Sequence, residues 1–352
     1  MKIIAILIIS TCIAPACIGQ KTYTNPIDTS IRLSDPYVLS HNGIYYLYAS
    51  TDLGEGFRAW KSSDLVDWEP IGWVFRKNEN TWGKGAFWAP EVIAYKDKFY
   101  MVYSSSGKTV FDSGMRICVA VADQPEGPFE EHYAPLFDFG YGTIDAHVYI
   151  EDNRPYLYFE KVGAVGEYWK QNGFLWGMIF GVELAEDLSK PIHEPKLCIY
   201  PEQQWEGLDK MWARSNEGMT VFKVNDTYYM MYSANHWADP NYAIGYATSD
   251  RPVGGMWTKY DGNPILQKDL EKGVSGPGHN SIINSPDGKE LFIVYHTHVL
   301  TKNKEVNRTL NPKKGEILGR TLNIDRLIIN KDGTLEVVGP TRTPQPLPSG
   351  AK

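Results

Sequence analysis

The sequence predicts an all-β protein, a five-bladed β-propeller, from three observations. The chain of 352 residues contains 32 Gly and 22 Pro, a composition that favours many turns and short strands over long helices. A pattern of a short apolar strand, a turn and an aromatic strand occurs five times along the chain. The copies are spaced widely enough for each to start one four-stranded blade.

The five copies are predicted hairpins. Each turn contains Asn, Asp or Gly, the residues that tight turns between strands favour. The aromatic second strands are Gly43–Tyr48, Lys98–Tyr103, Pro155–Tyr158, Thr227–Tyr232 and Glu290–Tyr295. Arg58–Leu65 and Ala243–Asp250 are predicted as equivalent third strands of the first and fourth blades.

Aligning the hairpins predicts one residue per blade at the same position on the innermost strand: Asp35, Ala89, Asp145, Glu217 and His279. The steps between these positions, by subtraction, are 54, 56, 72 and 62 residues. Innermost strands line the central channel of a propeller, so these side chains should converge on one funnel. Four of the five are ionisable in a chain that is only 22% charged. We interpret this as a functional site rather than as ordinary polarity at strand starts.

Three carboxyl groups in one funnel predict acid–base chemistry. Like charges and burial raise the pKa of at least one of them. A carboxylic acid with a raised pKa can protonate a leaving oxygen near neutral pH, while an ionised one activates water. Glycoside hydrolysis uses this pair, inverting at a separation of about 6.5–9.5 Å and retaining at about 5–5.5 Å. Placement on different blades favours the wider separation.

Two aromatic residues and one arginine are candidate substrate-binding residues. Phe87 and Trp88 precede Ala89 in the second blade, and Trp88 is a candidate platform for a sugar ring. The alternative is a tryptophan packed between blades. Arg320 starts a late strand and could clamp sugar hydroxyls or a carboxylate, with an ordinary surface arginine as the alternative.

The N-terminus predicts secretion. Residues 1–19 have a basic start, an apolar run from Ile3 to Ile9 and a small-residue end, as in a signal peptide, and are too short to span a membrane. Lipid anchoring through Cys17 is an alternative. The propeller is predicted over residues 20–340, followed by a Pro-rich surface tail over 341–352. Cys118 and Cys198 could form a disulfide or remain free thiols.

The charge balance excludes one class of partner. The chain has 42 acidic and 35 basic residues, a formal net charge of −7. No general affinity for nucleic acid is therefore expected. A secreted or periplasmic monomer is the expected form.

The motifs at these positions resemble glycoside hydrolase family 43. The matching segments, which span roughly Asn25 to Val338, are Ser34–Tyr37, Phe87–Glu91, Ile144–Ala146, Asn216–Gly218, Gly278–Ser281, Tyr295–His298 and Gly319–Arg320. The resemblance implies an inverting five-bladed propeller enzyme that cleaves arabinose- or xylose-containing plant polysaccharides without a required cofactor.

The resemblance also implies residue roles. Asp35 would be the general base, Glu217 the general acid, and Asp145 the residue that keeps the pKa of Glu217 high. Arg320 would contact substrate. His279 would lie near a bound calcium ion, although a hydrogen-bonded axial histidine is an equal alternative.

The segments Gly278–Ser281 and Tyr295–His298 are most similar to the arabinan-active branch, which favours α-L-arabinofuranosyl linkages. One end of the groove could be closed by the long segments Val162–Gly173 and Tyr200–Asn216. These segments carry Trp169, Trp205 and Trp212, and a closed end favours exo action. The alternatives are a β-xylosidase, an endo-arabinanase or a non-catalytic sugar-binding propeller. A fructan-cleaving propeller is disfavoured because Ser34–Tyr37 lacks the Asn-Asp-Pro-Asn start of that class.

Overall fold

The structure is a computed structural model that describes residues 21–107, 114–162, 176–207, 214–303 and 319–352. These residues form strands, turns and one short 3-10 helix, Gln204–Glu206. Within these ranges no helix is long and apolar enough to cross a membrane. The expected signal peptide and Cys17 lie outside the described residues.

The predicted propeller is confirmed, with five blades of four strands each. The first two blades comprise β2 (Ser34–His41), β3 (Ile44–Ser50), β4 (Gly56–Ser62) and β5 (Glu69–Arg76), then β6 (Gly85–Tyr95), β7 (Lys98–Ser106), β8 (Met115–Ala122) and β9 (Glu130–Tyr133). The third and fourth comprise β10 (Gly142–Glu151), β11 (Arg154–Val162), β12 (Trp176–Glu183) and β13 (Lys196–Ile199), then β14 (Arg214–Val224), β15 (Thr227–Ala234), β16 (Ala243–Ser249) and β17 (Thr258–Lys259). The fifth comprises β18 (Gly278–Asn284), β19 (Leu291–His298), β20 (Arg320–Ile329) and β21 (Leu335–Val338).

The strands within each blade are antiparallel, and the innermost strand of each is its first in sequence. A short parallel pairing of β12 with β14 links blades three and four at the edge near the axis. Strand β18 packs against β2, which closes the ring.

Each aromatic second strand contributes one fully buried tyrosine to the packing. Tyrosine is well suited to this position because its ring fills space while its hydroxyl can reach a polar partner. The hydroxyls donate to Pro125 O, Glu131, Pro252 O, Glu206 and Asp325 from Tyr48, Tyr103, Tyr158, Tyr232 and Tyr295, in that order. The sequence repeat is therefore also a repeat of core packing.

Residues 341–352 do not form the separate surface tail that we expected. Strand β22 (Gln345–Pro346) pairs with β1 (Thr22–Tyr23), and Leu347 packs against the core around Tyr23. The Thr341 hydroxyl donates to Asp325 Oδ1 at 2.5 Å. The last segment thus fastens the start of the described chain to the fifth blade.

The two cysteines of the described chain are buried free thiols, so they form no disulfide. Burial raises the pKa of the Cys198 thiol to about 12 and that of Cys118 well above its usual range. Both therefore serve as small packing residues.

A buried ion pair supports the start of β14. Lys259 Nζ donates to Glu206 Oε1 at 2.5 Å, to Asn216 Oδ1 at 3.0 Å and to the Tyr200 carbonyl at 2.6 Å. Glu206 also accepts from Asn216 Nδ2 at 3.1 Å. Both charged side chains are almost wholly buried, so each charge is stabilised mainly by its opposite partner rather than by water.

Lys259→Met should lower the free energy of unfolding by about 3–5 kcal/mol, because it leaves the Glu206 charge buried without its partner. Urea unfolding of the variant and wild type measures this. The double variant Lys259→Met/Glu206→Gln should recover part of the loss. Equal stability of the single variant and wild type would contradict the assigned role of the pair.

Candidate active site

A shared backbone conformation brings residues from separate blades to the axis. The backbone φ angle is 54° at Asp35, 46° at Ala89, 54° at Asp145 and 47° at His279. Residues other than glycine rarely adopt this left-handed conformation, and they retain it only where surrounding contacts enforce it. The equivalence of these four positions is confirmed in backbone geometry.

The fourth blade departs from the alignment by one residue. There the left-handed residue is Gly218, with φ of 55°, and Glu217 precedes it. Glu217 pairs across its hairpin with Ser233, as Ser34 pairs with Ser50 in the first blade. The prediction that Glu217 is equivalent to Asp35 is therefore wrong, although Glu217 still reaches the same site.

Each innermost strand carries a register shift at this point, and the extra residue turns the backbone. In four blades the N–H group of the left-handed residue bonds to a side chain of the preceding blade. The pairs are Ala89 to Ser50 Oγ (2.7 Å), Asp145 to Ser104 Oγ (2.9 Å), His279 to Ser233 Oγ (2.7 Å) and Asp35 to His296 Nδ1 (3.2 Å). The bonds that join the blades thus also orient the axial side chains.

Asp35 lies among positive and hydrogen-bonding partners. The hydroxyls of Ser50 and Ser34 donate to Oδ2 at 2.6 and 3.0 Å. Arg320 Nη1 lies 3.4 Å and His279 Nδ1 3.3 Å from Oδ1. Burial raises the pKa of Asp35, but these partners outweigh burial and leave the pKa below its ordinary value. Asp35 is therefore ionised at neutral pH.

Glu217 has the opposite environment. Burial raises the pKa of its carboxyl to about 7 and the Asp35 charge adds to the rise, while hydrogen bonds from Tyr242 and Ser215 oppose it. The Tyr242 hydroxyl donates to Glu217 Oε1 at 2.7 Å. Tyr242 itself stacks on His296, with ring centroids 5.9 Å apart. Glu217 is therefore a protonated acid in a fixed orientation at mildly acidic pH.

Asp145 lies between the other two carboxyl groups. Its Oδ2 accepts the Gly218 N–H at 3.1 Å and lies 3.7 Å from His279 Nδ1. Burial raises its pKa well above the usual range, and the charges of Glu217 and Asp35 add to this. Burial and these two charges therefore favour the protonated form of Asp145.

His279 lies at the axis beside two of the carboxyl groups. Its Nδ1 is 3.3 Å from Asp35 Oδ1 and 3.7 Å from Asp145 Oδ2. Burial lowers the pKa of His279. Calcium binds six to eight oxygen ligands, and a calcium ion near His279 stays a prediction.

The three candidate substrate-binding residues have different positions. Arg320 begins β20 and lies beside Asp35, with its guanidinium carbon 5.1 Å from the centre of the Trp237 ring. Trp88 is partly exposed and packs against a small cluster at the funnel. Phe87 is fully buried in the core between the first two blades, beside Phe57. The expectation that Phe87 contacts substrate is therefore wrong.

The predicted end wall is described only in part. Trp169 and Trp212 lie outside the described residues. Trp205 packs against Tyr232 and donates to Gln203 Oε1 at 2.7 Å. It therefore supports the fourth blade rather than facing a groove.

Three residues of the site were not predicted from the sequence. Tyr242 and Trp237 lie outside the repeated hairpins, so no repeat pointed to them. Glu160 is a buried carboxyl near Asp145 and Glu217. It pairs with Ile144 in its hairpin, as Ser50 pairs with Ser34, so aligning the second strands as well as the first would have found it.

The comparisons with known proteins agree with this geometry. The sequence profile of Glycosyl hydrolases family 43 matches residues 23–335. The chain belongs to this family. A solved thermostable family-43 glycoside hydrolase is 46% identical, with a TM-score of 0.81, over 93% of this chain and 99% of that chain. The family-43 protein described here is therefore a glycoside hydrolase.

The curated relatives of this family-43 chain have several sugar specificities. A β-D-galactofuranosidase of Aspergillus niger is 30% identical, over 86% of this chain and 81% of the relative. An extracellular exo-α-(1→5)-L-arabinofuranosidase of Streptomyces avermitilis is 26% identical, over 80% of this chain and 57% of the relative. An extracellular endo-α-(1→5)-L-arabinanase of Bacillus subtilis is 25% identical, over 94% of this chain and 74% of the relative. Lipid anchoring through Cys17 receives no support from them.

The opposed pKa shifts predict a bell-shaped pH profile of kcat/KM. Activity requires ionised Asp35 and protonated Glu217. The acidic limb should therefore lie below the ordinary range of an aspartate, because the pKa of Asp35 is lowered. The alkaline limb should fall at about 7, where Glu217 loses its proton. Initial rates across the pH range test this, and full activity well above that value would contradict the assignment of Glu217.

Proposed function

We propose that this protein is an inverting exo-glycosidase that releases terminal α-L-arabinofuranosyl residues from plant polysaccharides. The observation that carries the proposal is the pair of opposed acids in one funnel. Asp35 is held ionised by His279, Arg320 and serine hydroxyls, while burial and the Asp35 charge raise the pKa of Glu217 to about 7. A general base and a general acid need these two states at the same pH.

The proposed reaction is a single displacement. A water molecule attacks the anomeric carbon and gives its proton to Asp35. The glycosidic C–O bond breaks as Glu217 transfers its proton to the departing oxygen, which leaves as an alcohol. Attack opposite the leaving group inverts the anomeric configuration. Family-43 enzymes generally act without a cofactor, and this reaction needs none.

The remaining site residues have supporting roles in the proposal. Asp145 keeps Glu217 protonated, and Tyr242 fixes the direction of its carboxyl group. Arg320 lies beside Asp35, where its free donors can bind sugar hydroxyls. Trp88 and Trp237 offer ring faces at the funnel for the apolar side of a sugar.

The arabinofuranosyl specificity is supported by the relatives in Streptomyces avermitilis and Bacillus subtilis, which are named for α-(1→5)-L-arabinosyl linkages. Both are also named as extracellular, which supports secretion of this chain, with a polysaccharide as substrate. A β-D-galactofuranosidase is the second candidate, because the Aspergillus niger relative carries that name. Both candidate sugars are five-membered rings and fit the same acid–base pair.

Asp35→Ala and Glu217→Ala should each lower kcat on an arabinofuranoside by about 10²–10⁴-fold, because each removes one proton-transfer group. Hydrolysis of α-(1→5)-arabinobiose, whose sugar leaving group needs a proton, measures the loss. Glu336→Ala, an exposed carboxyl on β21, is the matched control and should retain the wild-type rate. Wild-type rates in both site variants would refute the enzymatic assignment of these residues.

The released sugar should be free arabinose with inverted configuration. Proton NMR during hydrolysis of a linear α-(1→5)-arabinan follows the first anomer formed, and chromatography gives the chain length of the product. Nitrophenyl β-D-galactofuranoside and β-D-xyloside are the comparison substrates. Faster galactofuranoside hydrolysis would select the second candidate, and long oligosaccharide products would exclude exo action.

A further inference from the structure

A fourth carboxyl group at the site has no role in the reaction as described. Glu160 lies on β11, between Ile144 on β10 and Ile179 on β12, and only 1% of its surface is exposed. A buried carboxyl group is costly unless it is paired or protonated. Its presence within a strand of apolar residues therefore requires an explanation.

Comparison with the other blades shows how unusual this position is. The equivalent residues, which pair with the innermost strand at the register shift, are Ser50, Ser104, Ser233 and His296. Each of those accepts the N–H group of the next blade's left-handed residue. In the fourth blade, Gly218 donates instead to Asp145 Oδ2. Glu160 therefore does not accept the backbone N–H of the next blade, as its counterparts do.

The carboxyl group of Glu160 instead connects to the catalytic acid. The Ser215 hydroxyl donates to Glu160 Oε1, and a carboxyl oxygen of Glu160 lies within 4.8 Å of one of Glu217. The other oxygen, Glu160 Oε2, has no hydrogen-bond partner among the described residues. A side chain at Gly177 would overlap both Glu160 and Ser215, so glycine leaves the space that this contact needs.

The protonation of these buried carboxyl groups depends on the repulsion between their charges. One carboxyl oxygen from each of Asp145, Glu160 and Glu217 lies within 4.8 Å of the others. Burial raises the pKa of Glu160 well above its usual range, and the charges of Glu217 and Asp145 add to the rise. Three negative charges at this distance in a buried site repel strongly, so protons are shared among the groups.

The other polar groups that face the cluster do not neutralise it. The Tyr242 hydroxyl donates to Glu217, and Arg320 lies beyond it against Asp35. His279 approaches only Asp145, and burial lowers its pKa. In the described residues, the carboxyl groups must therefore balance their charge with protons.

We propose that Glu160 is a positioning residue for acid catalysis, which shares a proton with Glu217 inside the carboxyl cluster and keeps the acid protonated to higher pH. This inference rests on the proposed role of Glu217. After Glu217 gives its proton to the leaving oxygen, the proton of Glu160 passes to the new Glu217 carboxylate. No bond other than O–H bonds changes, and the cluster regains its lost proton from water.

Glu160→Gln tests the inference, because the amide keeps the shape and the hydrogen bond but cannot share a proton. The alkaline limb of kcat/KM should move to lower pH by about one pH unit, with the acidic limb unchanged. The loss above neutral pH should be larger for arabinobiose than for a dinitrophenyl arabinofuranoside, whose leaving group needs little protonation.

A structural role alone would lower activity equally at all pH values and for both leaving groups, and that result would overturn the inference. An unmoved alkaline limb in Glu160→Gln would also overturn it. Glu336→Gln is the control for the charge change, and thermal unfolding verifies that the variants are folded.

A second readout does not depend on activity. Infrared difference spectra of the wild type near neutral pH should contain the C=O band of a protonated carboxylic acid that both Glu160→Gln and Glu217→Gln alter. Bands that respond to one substitution only would refute proton sharing. If Glu217→Ala kept full activity, the proposed function would fail, whereas the infrared result would still decide whether the proton is shared.

Discussion

The register shift at the start of each innermost strand is the constraint on which the site depends. It puts a residue into the left-handed region and turns it toward the axis. This conformation is unfavourable for Asp35 and Asp145, and the hydrogen bonds that satisfy their N–H groups come from neighbouring blades. The site is therefore formed by closure of the ring, and no single blade contains it.

Closure of the ring also separates the charge states of the acids. Asp35 receives Arg320 from the fifth blade and a serine hydroxyl from its own blade, which stabilise its negative charge. Glu217 receives other carboxyl groups and a tyrosine hydroxyl. Two carboxylic acids of similar intrinsic pKa thus become a base and an acid because their neighbours come from different strands.

The third blade differs from the other four at one repeated position of its second strand. Its second strand carries Glu160 where the others carry serine or histidine, and the Gly218 N–H donates to Asp145 Oδ2 instead. One departure from the repeat thus links two acids by a backbone bond and adds a further buried carboxyl group beside the acid. Glu160 could replace a serine or histidine at this repeat position because the bond from Gly218 to Asp145 supplies the structural contact that the other blades obtain there.

Alternation and turn residues report local structure, so they were enough to predict the hairpins, the number of blades and the residues Asp35, Asp145 and Arg320. Contacts between distant strands are not encoded by alternation, and these contacts set the rest of the site. The register shift made Gly218, rather than Glu217, the left-handed residue, and packing between blades buried Phe87. The contacts of Glu160 arise between strands that are distant in sequence, so only the assembled ring brings its carboxyl group to the acid.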